Sequence, residues 1–258
     1  MDLQLTGKVY AVGGASGGLG RAIAECLIRE GATIVGIARS RDKLATLAET
    51  HGDYFIAHPA DLSDGTAIRK LGEKLIDLDV DGCVFNSGGP PTGTIGELNM
   101  EQWDTAYAST LRWKIQLTKA LLPTFRQRGG GSLLYIESVS IKQPIDNLVL
   151  SNSFRAAVAG FVKTLTREEG SNGIRANILA PGYHATERIT TVLQKAAELQ
   201  QLPIEAVEQS FLAEVPLGKL GQPEHFAAMA AFLLSPAAQF ITGQTINVDG
   251  GMTRFLTG

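Results

Sequence analysis

Short apolar runs alternate with longer amphipathic stretches along the chain. The short runs carry few polar residues on either side, which is typical of strands covered on both faces. They predict seven strands, at Val9–Val12, Thr33–Ala38, Tyr54–Ala57, Cys83–Phe85, Ser132–Ile136, Arg175–Leu179 and Thr245–Val248. The longer stretches predict helices at Leu19–Arg29, Lys43–Thr50, Thr66–Leu78, Glu101–Arg128, Phe154–Gly170 and Pro223–Leu234. This alternation predicts a single α/β domain over residues 1–258, with a doubly wound parallel sheet of the Rossmann type.

One segment, residues 186–215, interrupts the alternation between the sixth strand and the last helix. It is polar and amphipathic, and an insertion there lies beyond the carboxyl ends of the strands, where open α/β sheets bind ligands. It is either an extra packed helix pair or a small helical lid over a substrate. Its apolar residues suggest a partly apolar ligand: Ile189, Val192, Leu193 and Phe211.

Composition and charge exclude several classes of function. The 258 residues carry a net charge of −3, so no basic field favours nucleic acid as a partner. The two cysteines form no CxxC pair and the four histidines lack metal spacing, so we expect no metal site. We also expect no secretory signal and no membrane-spanning segment, and hence a cytoplasmic protein.

A glycine-rich turn follows the first strand and opens the first helix. It reads Gly14-Ala15-Ser16-Gly17-Gly18-Leu19-Gly20. Glycines let backbone approach a pyrophosphate closely, and the free N–H groups at a helix start attract its negative charge. A glycine-rich turn alone is weak support, because turns use glycine for positive φ anyway.

Further motifs occur in a fixed order after this turn. They are Asp61-Leu62, Asn86-Ser87-Gly88, Ser138, Pro181-Gly182 and Asp249-Gly250-Gly251. Together with the glycine turn they resemble the short-chain dehydrogenase/reductase family along nearly the whole chain. The run from Asn86 to Pro91 and the run from Pro181 to Arg188 are similar to a 3-oxoacyl carrier-protein reductase-like subgroup. The resemblance favours the lid interpretation of residues 186–215.

The resemblance implies a nicotinamide dinucleotide site. Asp61 takes the position of the family's adenine clamp, Asn86 lies in its turn beside the ribose, and Thr186 follows the loop that holds the carboxamide. The position of Gly13 usually carries threonine in the family, so one structural hydrogen bond is in doubt. The cofactor-binding residues implied are Gly14, Ser16, Gly18, Leu19, Gly20, Arg39, Asp61, Leu62, Asn86, Gly88, Pro181, Gly182 and Thr186.

The end of the second strand bears on which dinucleotide binds. NAD sites place an acidic residue there for the ribose 2′-hydroxyl, whereas NADP sites place a basic one for the 2′-phosphate. Here Ala38 takes the acidic position and Arg39 follows, with Arg41 nearby. The two arginines could instead be a solvated face at a helix start, although arginine there opposes the helix dipole. We expect NADP(H) to be favoured over NAD(H).

The catalytic centre departs from the family pattern. In the family a tyrosine protonates the carbonyl, a lysine lowers the tyrosine pKa and binds the ribose, a serine orients the carbonyl, and an asparagine anchors a water relay. Carried over onto this chain, the serine is Ser138 and the asparagine position falls on Thr110. The tyrosine position falls on Ser151 and the lysine position on Arg155.

These replacements change the expected chemistry. A serine hydroxyl is a far weaker acid than a phenol and is shorter by a whole ring. Arginine relays no protons, but Arg155 can bind ribose hydroxyls or pin a carboxylate or an oxyanion. Ser138, Ser151 and Arg155 are therefore expected to form a binding or polarising cluster.

Two residues after Pro181-Gly182 are candidate replacement acids. Tyr183 and His184 should face the nicotinamide end, and a histidine titrates near neutrality. Alternatively, Tyr183 only lines the site and His184 is solvated. Glu137, next to Ser138, is expected to point to the opposite side of its strand.

Three functions remain open. The first is an NADP(H)-dependent oxidoreductase that acts on a small-molecule carbonyl or alcohol through a rearranged acid. The second is a cofactor-binding protein without turnover, and the third is a lyase or isomerase on the same scaffold. The helix at Phe154–Gly170 carries more apolar surface than one sheet face needs, and in the family such helices pack against symmetry mates. A homo-oligomer, most simply a tetramer, is therefore expected.

Overall fold

The computed structural model describes residues 1–256 and has one parallel sheet between two layers of helices. Over these residues the sheet has seven strands, in the order β3-β2-β1-β4-β5-β6-β7. The strands are β1 Val9–Gly13, β2 Thr33–Ala38, β3 Phe55–Pro59, β4 Gly82–Phe85, β5 Gly131–Ile136, β6 Ile174–Pro181 and β7 Thr245–Val248. The strand order reverses between β1 and β4, and ligands of doubly wound sheets bind at the carboxyl ends of such strands. The predicted single-domain, Rossmann-type fold is confirmed.

Helices connect the strands and cover the sheet. They are α1 Gly18–Arg29, α2 Arg41–His51, α3 Gly65–Asp77, α4 Met100–Tyr107, α5 Trp113–Arg128, α6 Val149–Glu169, α7 Glu187–Gln200, α8 Ile204–Ala213 and α9 Pro223–Leu234. Helices α1 and α9 pack on one face, where Ile23 and Phe226 are fully buried. Helices α3, α5 and α6 pack on the other, around Leu117 and Val158. Burial of both faces explains the continuous apolar runs of the central strands.

The edge strands differ from the expectation of burial on both faces. Only Phe55 of β3 is buried, and every residue of β7 is half-buried. An edge strand has a neighbouring strand on one side only. The apolar character of these two runs therefore reflects packing on one face.

Two helix boundaries differ from the prediction. The expected helix Glu101–Arg128 is interrupted by a π-helical turn at Ala108–Arg112, a local widening that is frequent at functional sites. Helix α6 begins at Val149, five residues before the predicted start, because Leu150 packs into the core and extends the helix. Ser151 therefore lies inside the first turn of this helix.

Residues 186–215 fold into the helix pair α7 and α8. The two helices share a small apolar core of their own, in which Ile189, Leu193 and Val207 are buried. Val192 and Phe211 pack against it half-buried. Four residues that we expected to contact a ligand therefore hold the helix pair together. Ile189 and Leu193 also line an open cavity of about 360 Å³ beside Thr186, so an apolar ligand surface remains there. The function of the pair as a lid stays a prediction.

The part of the chain that is described has neither a membrane-spanning helix nor a metal-binding cluster. Within residues 1–256, no helix is long and apolar enough to cross a bilayer. In the same residues, histidine, cysteine and acidic side chains do not assemble into a group of three that could hold a metal ion.

Candidate active site

The glycine turn between β1 and α1 forms an open backbone cradle. Gly14 and Gly18 have φ of 63° and 53°, in the region that favours glycine. A β-carbon at Gly20 would lie 2.3 Å from the Gly14 carbonyl oxygen, so no other residue fits there. Among the described residues, no side chain caps the first N–H groups of α1. These N–H groups are available to an anion.

Loops from the neighbouring strands border this cradle. The side-chain amide of Asn86 donates a hydrogen bond to the Gly13 carbonyl oxygen at 3.1 Å. The methyl group of Thr186 lies 3.8 Å from the position of a β-carbon at Gly18. The predicted assembly of the glycine turn with the loops after β4 and β6 is therefore present. The Asn86 side chain points into the glycine turn and braces it.

Gly13 replaces a residue that is usually threonine in this family. A β-carbon at Gly13 would lie 2.4 Å from the Asn86 carbonyl oxygen, so the close approach of these two segments requires glycine. The connection between β1 and the loop after β4 is made instead by the Asn86 amide. The hydrogen bond that the sequence put in doubt is thus replaced by another one.

The remaining predicted cofactor residues lie around the same edge of the sheet. Pro181 ends β6, and Gly182 packs so closely on Asp249 that a β-carbon would lie 2.8 Å from the Asp249 Cα atom. Leu19 and Leu62 are half-buried against the two main cores. Gly88 is exposed and Ser16 half-buried.

Arg39 and Asp61 follow the ends of β2 and β3, on the side of the cradle away from β4. The Asp61 carboxylate accepts hydrogen bonds from the Ser63 N–H at 2.9 Å and the Ser63 hydroxyl at 2.7 Å. These bonds, with a smaller contribution from the nearby Arg39, hold the pKa of Asp61 below its usual value. Arg39 is exposed and forms no ion pair within the described residues. An uncapped helix start, a glycine cradle and a free arginine at its end together fit a dinucleotide that carries a 2′-phosphate.

Ser151 and Arg155 lie one turn apart on α6 and contact each other. The Arg155 Nε atom donates to Ser151 Oγ at 3.0 Å. Its Nη1 atom donates to Glu137 Oε2 at 3.0 Å and to the Ile136 carbonyl oxygen at 3.4 Å. Arg155 is only 9% exposed, so these contacts fix the guanidinium in place. The predicted proximity of Ser151 and Arg155 is present in the structure.

Glu137 lies within this cluster although it follows the strand alternation that we expected. Its N–H donates to the Leu179 carbonyl oxygen, so the pairing of β5 with β6 continues to this residue. The Glu137 side chain therefore points to the side that α5 and α6 cover, where it is 3% exposed and contacts Arg155 directly. A buried carboxylate also needs a cationic partner, and Arg155 provides one.

Lys114 is a member of the cluster that the sequence analysis missed. It lies on α5, is 1% exposed, and its ammonium forms a short ion pair with the Glu137 carboxylate. Burial lowers the pKa of Lys114 to about 8, although Glu137 acts in the opposite direction. A sequence signal existed, because Lys114 shares a helix face with Leu117 and Thr118, and both of these are buried. Lys114, Glu137 and Arg155 form a buried triad of two cations and one carboxylate.

Ser138 and Thr110 lie near this triad. Ser138 Oγ accepts a hydrogen bond from the Ser140 N–H at 3.1 Å, and Ser138 is half-buried. Thr110 lies in the π-helical turn, and its hydroxyl is buried without a hydrogen-bond partner among residues 1–256. An unpaired buried hydroxyl is costly, so a water or ligand group is expected beside Thr110.

The two candidate replacement acids lie apart from this triad. The Tyr183 hydroxyl donates to Glu214 at 3.3 Å, and burial with the adjacent carboxylate raises the pKa of Tyr183 to about 12. His184 is buried against Phe226 and its Nδ1 atom lies 3.2 Å from the Gly182 carbonyl oxygen. Burial lowers the pKa of His184. Neither interpretation of His184 was right, because it is neither an acid facing the site nor solvated.

The family comparison agrees with the fold and the cradle. A family model described as enoyl-(acyl carrier protein) reductase matches residues 14–253. This match spans nearly the whole sheet, the glycine turn and the helix pair α7–α8. The chain belongs to the short-chain dehydrogenase/reductase family.

Individual relatives match over the full length of the chain. It is 31% identical to the 3-oxoacyl-[acyl-carrier-protein] reductase FabG of Vibrio harveyi, over 97% of this chain and 99% of that protein. L-sorbose reductase from Gluconobacter frateurii, solved with NADPH and L-sorbose, is 30% identical with a TM-score of 0.93, over 99% of this chain and 100% of that one. Actinorhodin polyketide ketoreductase, solved with NADPH, is 29% identical with a TM-score of 0.91, over 96% of this chain and 98% of that one.

Proposed function

We propose that this protein is an NADP(H)-dependent oxidoreductase that acts on a small carbonyl or alcohol through a non-standard catalytic centre. The observation that carries the proposal is the position of a dinucleotide cradle beside a buried cluster of Ser151, Arg155 and Glu137. Similar proteins with known structures contain NADPH, including the L-sorbose reductase and the actinorhodin ketoreductase. When bound, NADPH supplies the hydride, and the protein must bind, orient and polarise the substrate.

The two serines are arranged as hydrogen-bond donors. Ser151 Oγ accepts its hydrogen bond from Arg155 Nε, and Ser138 Oγ accepts one from the Ser140 N–H. A hydroxyl that accepts one bond keeps its own hydrogen for another acceptor. Both hydroxyl hydrogens are therefore available to a substrate oxygen, and fixed donors of this kind stabilise negative charge as it develops. In this proposal the centre polarises the substrate without a phenolic acid.

A cofactor-binding protein without turnover is the second candidate. It is favoured by the pKa of Tyr183, which is raised to about 12, and by the burial of Lys114, whose ammonium is held in the ion pair with Glu137. Two measurements separate the candidates: NADPH consumption with a panel of ketones, and NADPH formation from NADP⁺ with a panel of hydroxy compounds. Consumption or formation supports the oxidoreductase. NADPH binding without consumption supports the second candidate, and substrate conversion without consumption supports a lyase or isomerase.

Cofactor choice is testable at Arg39. NADPH is expected to bind more tightly than NADH, and Arg39→Ala should remove most of the difference. Loss of a charge-assisted contact to the 2′-phosphate should cost about 1.5–3 kcal/mol of binding free energy. Fluorescence titration of both nucleotides measures this. NADH is the internal control, because it lacks the phosphate and its affinity should not change. Equal wild-type affinity for the two nucleotides would contradict the proposal.

A homo-oligomer, most simply a tetramer, is part of the same proposal. Tyr107 is 42% exposed beside the half-buried Phe154 at the start of α6, and Phe240 is fully exposed. A contiguous exposed apolar patch, such as that of Tyr107 and Phe154, marks an interaction surface, and interfaces between copies of a chain use such patches. Light scattering at micromolar concentration is expected to give a mass of about four chains. A monomer under these conditions would contradict the proposal.

A further inference from the structure

Two guanidinium groups converge above Gly89, in the loop that follows β4. A β-carbon at Gly89 would lie 3.6 Å from the Nη2 atom of Arg155 and 3.8 Å from the Nη2 atom of Arg188. Both cationic nitrogens thus lie within 4 Å of the same point on one face of Gly89. A small ligand group that lies over this face can contact both.

The Nη2 atom of Arg155 has no other partner in the part of the chain that the structure describes. The other two nitrogens of this guanidinium bond to Ser151, Glu137 and Ile136. The side chain is nine-tenths buried, with 10% exposed. Nη2 is not one of the buried side-chain atoms that lack a partner, so it is accessible to a ligand or to water. The free nitrogen faces Gly89, so its partner is expected there.

Arg188 approaches the same point from the helix pair α7–α8. It lies in the first turn of α7, where a cation is unfavourable because the positive end of the helix dipole is there. Within residues 1–256 no carboxylate lies within 4 Å of its guanidinium. A bound anion would offset both costs.

The charged side chains around Gly89 carry a net positive charge. Glu137 is the ion-pair partner of both Lys114 and Arg155. One carboxylate thus serves two buried cations, and Arg188 adds a third positive charge at the rim. The site above Gly89 therefore has an excess of positive charge.

We propose that Arg155 and Arg188 bind the carboxylate of the substrate above Gly89. Each guanidinium presents one free nitrogen to the gap, and a carboxylate offers two oxygens, so the donors and acceptors match. The inference rests on the proposed function and names its substrate class: a small carbonyl or alcohol compound that carries a carboxylate.

The test compares a 2-oxo acid with its uncharged ester. We would titrate 2-oxo-4-phenylbutanoate and its ethyl ester into protein saturated with NADP⁺, by calorimetry. The acid should bind at least about tenfold more tightly than the ester, as expected for charge-assisted hydrogen bonds. Arg188→Gln should remove this preference and leave the ester affinity unchanged. Lys195→Gln, on the same helix, should keep it, because that ammonium lies at the surface beside Thr92.

Gly89→Ala is the second variant, and it changes no charge. Its methyl group would make ordinary contacts with both Nη2 atoms, and Gly89 does not have a positive φ, so the fold should be retained. The methyl would project between the two Nη2 atoms, displace a carboxylate bound over Gly89 and so remove the preference for the acid. A thermal unfolding curve like that of the wild type checks the fold.

The outcomes separate this inference from the proposed function. Equal binding of acid and ester, no binding of either, or a preference that survives both Arg188→Gln and Gly89→Ala would overturn the inference. A loss of NADP⁺ affinity in both variants, with the acid preference retained, would assign the two arginines to the cofactor and also overturn it. Failure of the wild type to bind NADP⁺ would overturn the proposed function instead. The same titrations without nucleotide would then decide whether the arginine pair prefers the acid.

Discussion

Replacement of Glu137 by alanine is expected to lower the free energy of unfolding by about 3–5 kcal/mol, among the largest effects of any single substitution in this protein. Glu137 is the ion-pair partner of Lys114 and Arg155, and all three side chains are buried. Removal of the carboxylate leaves two buried cations close together without a counter-charge. Equilibrium unfolding in urea measures the change, through the midpoint at constant slope.

Glu25→Ala is the matched control for this prediction. Glu25 also pairs with an arginine, Arg21 at 2.8 Å, but the pair lies at the surface, with 53% of the Arg21 side chain exposed. Surface ion pairs contribute about 1 kcal/mol or less. A Glu137→Ala variant that is no less stable than Glu25→Ala would show that the buried triad does not depend on its carboxylate.

The fold and the cofactor cradle could be predicted from the sequence because their signals are local. A strand that is buried on both faces needs a run of apolar residues, and a turn with positive φ at Gly14 and Gly18 needs glycine. Each of these requirements is visible within a few residues of the chain. The same holds for Ser151 and Arg155, whose spacing of four places them together on any helix.

The buried charge triad could not be predicted in the same way. Lys114 and Glu137 are 23 residues apart and meet only because α5 packs beside the end of β5. The alternation of β5 predicts the side to which Glu137 points, but it does not predict that Lys114 and Arg155 lie on that side. Arg188 lies on a third element, α7, so the sequence alone does not predict that it approaches Arg155 above Gly89.

The side-chain directions of Tyr183 and His184 could not be predicted from the sequence, for a different reason. Their position after Pro181-Gly182 predicted that both would face the nicotinamide end of the site. In the structure the His184 ring packs on Gly221, where a β-carbon would lie 2.8 Å from the ring, and Tyr183 turns towards Glu214. Sequence position gave the right loop, but side-chain direction is determined by the packing of α8 and α9.

Wild-type protein is expected to reduce generic ketones and 3-oxoacyl thioesters little or not at all. A positioned general acid contributes about 10²–10⁴-fold to such reactions, and the tyrosine position here is Ser151, whose hydroxyl is held by Arg155. Ser151→Tyr with Arg155→Lys should create measurable activity, provided that the rest of the site has reductase geometry. Thr110→Asn is the third change, because Thr110 takes the position of the asparagine that anchors the water relay.

NADPH consumption against a ketone panel compares the wild type with the double and triple variants. A rise of about 10²-fold in the rate of NADPH consumption, in the double variant or only in the triple variant, would show that the site has reductase geometry and lacks only the acid.

Two wild-type results would contradict the prediction, and each would identify a different proton donor. Robust turnover that survives Ser151→Ala would mean that another group donates the proton, and Tyr183→Phe is then the first variant to measure. Robust turnover that Ser151→Ala abolishes would mean that this serine, oriented by Arg155, acts as the acid itself.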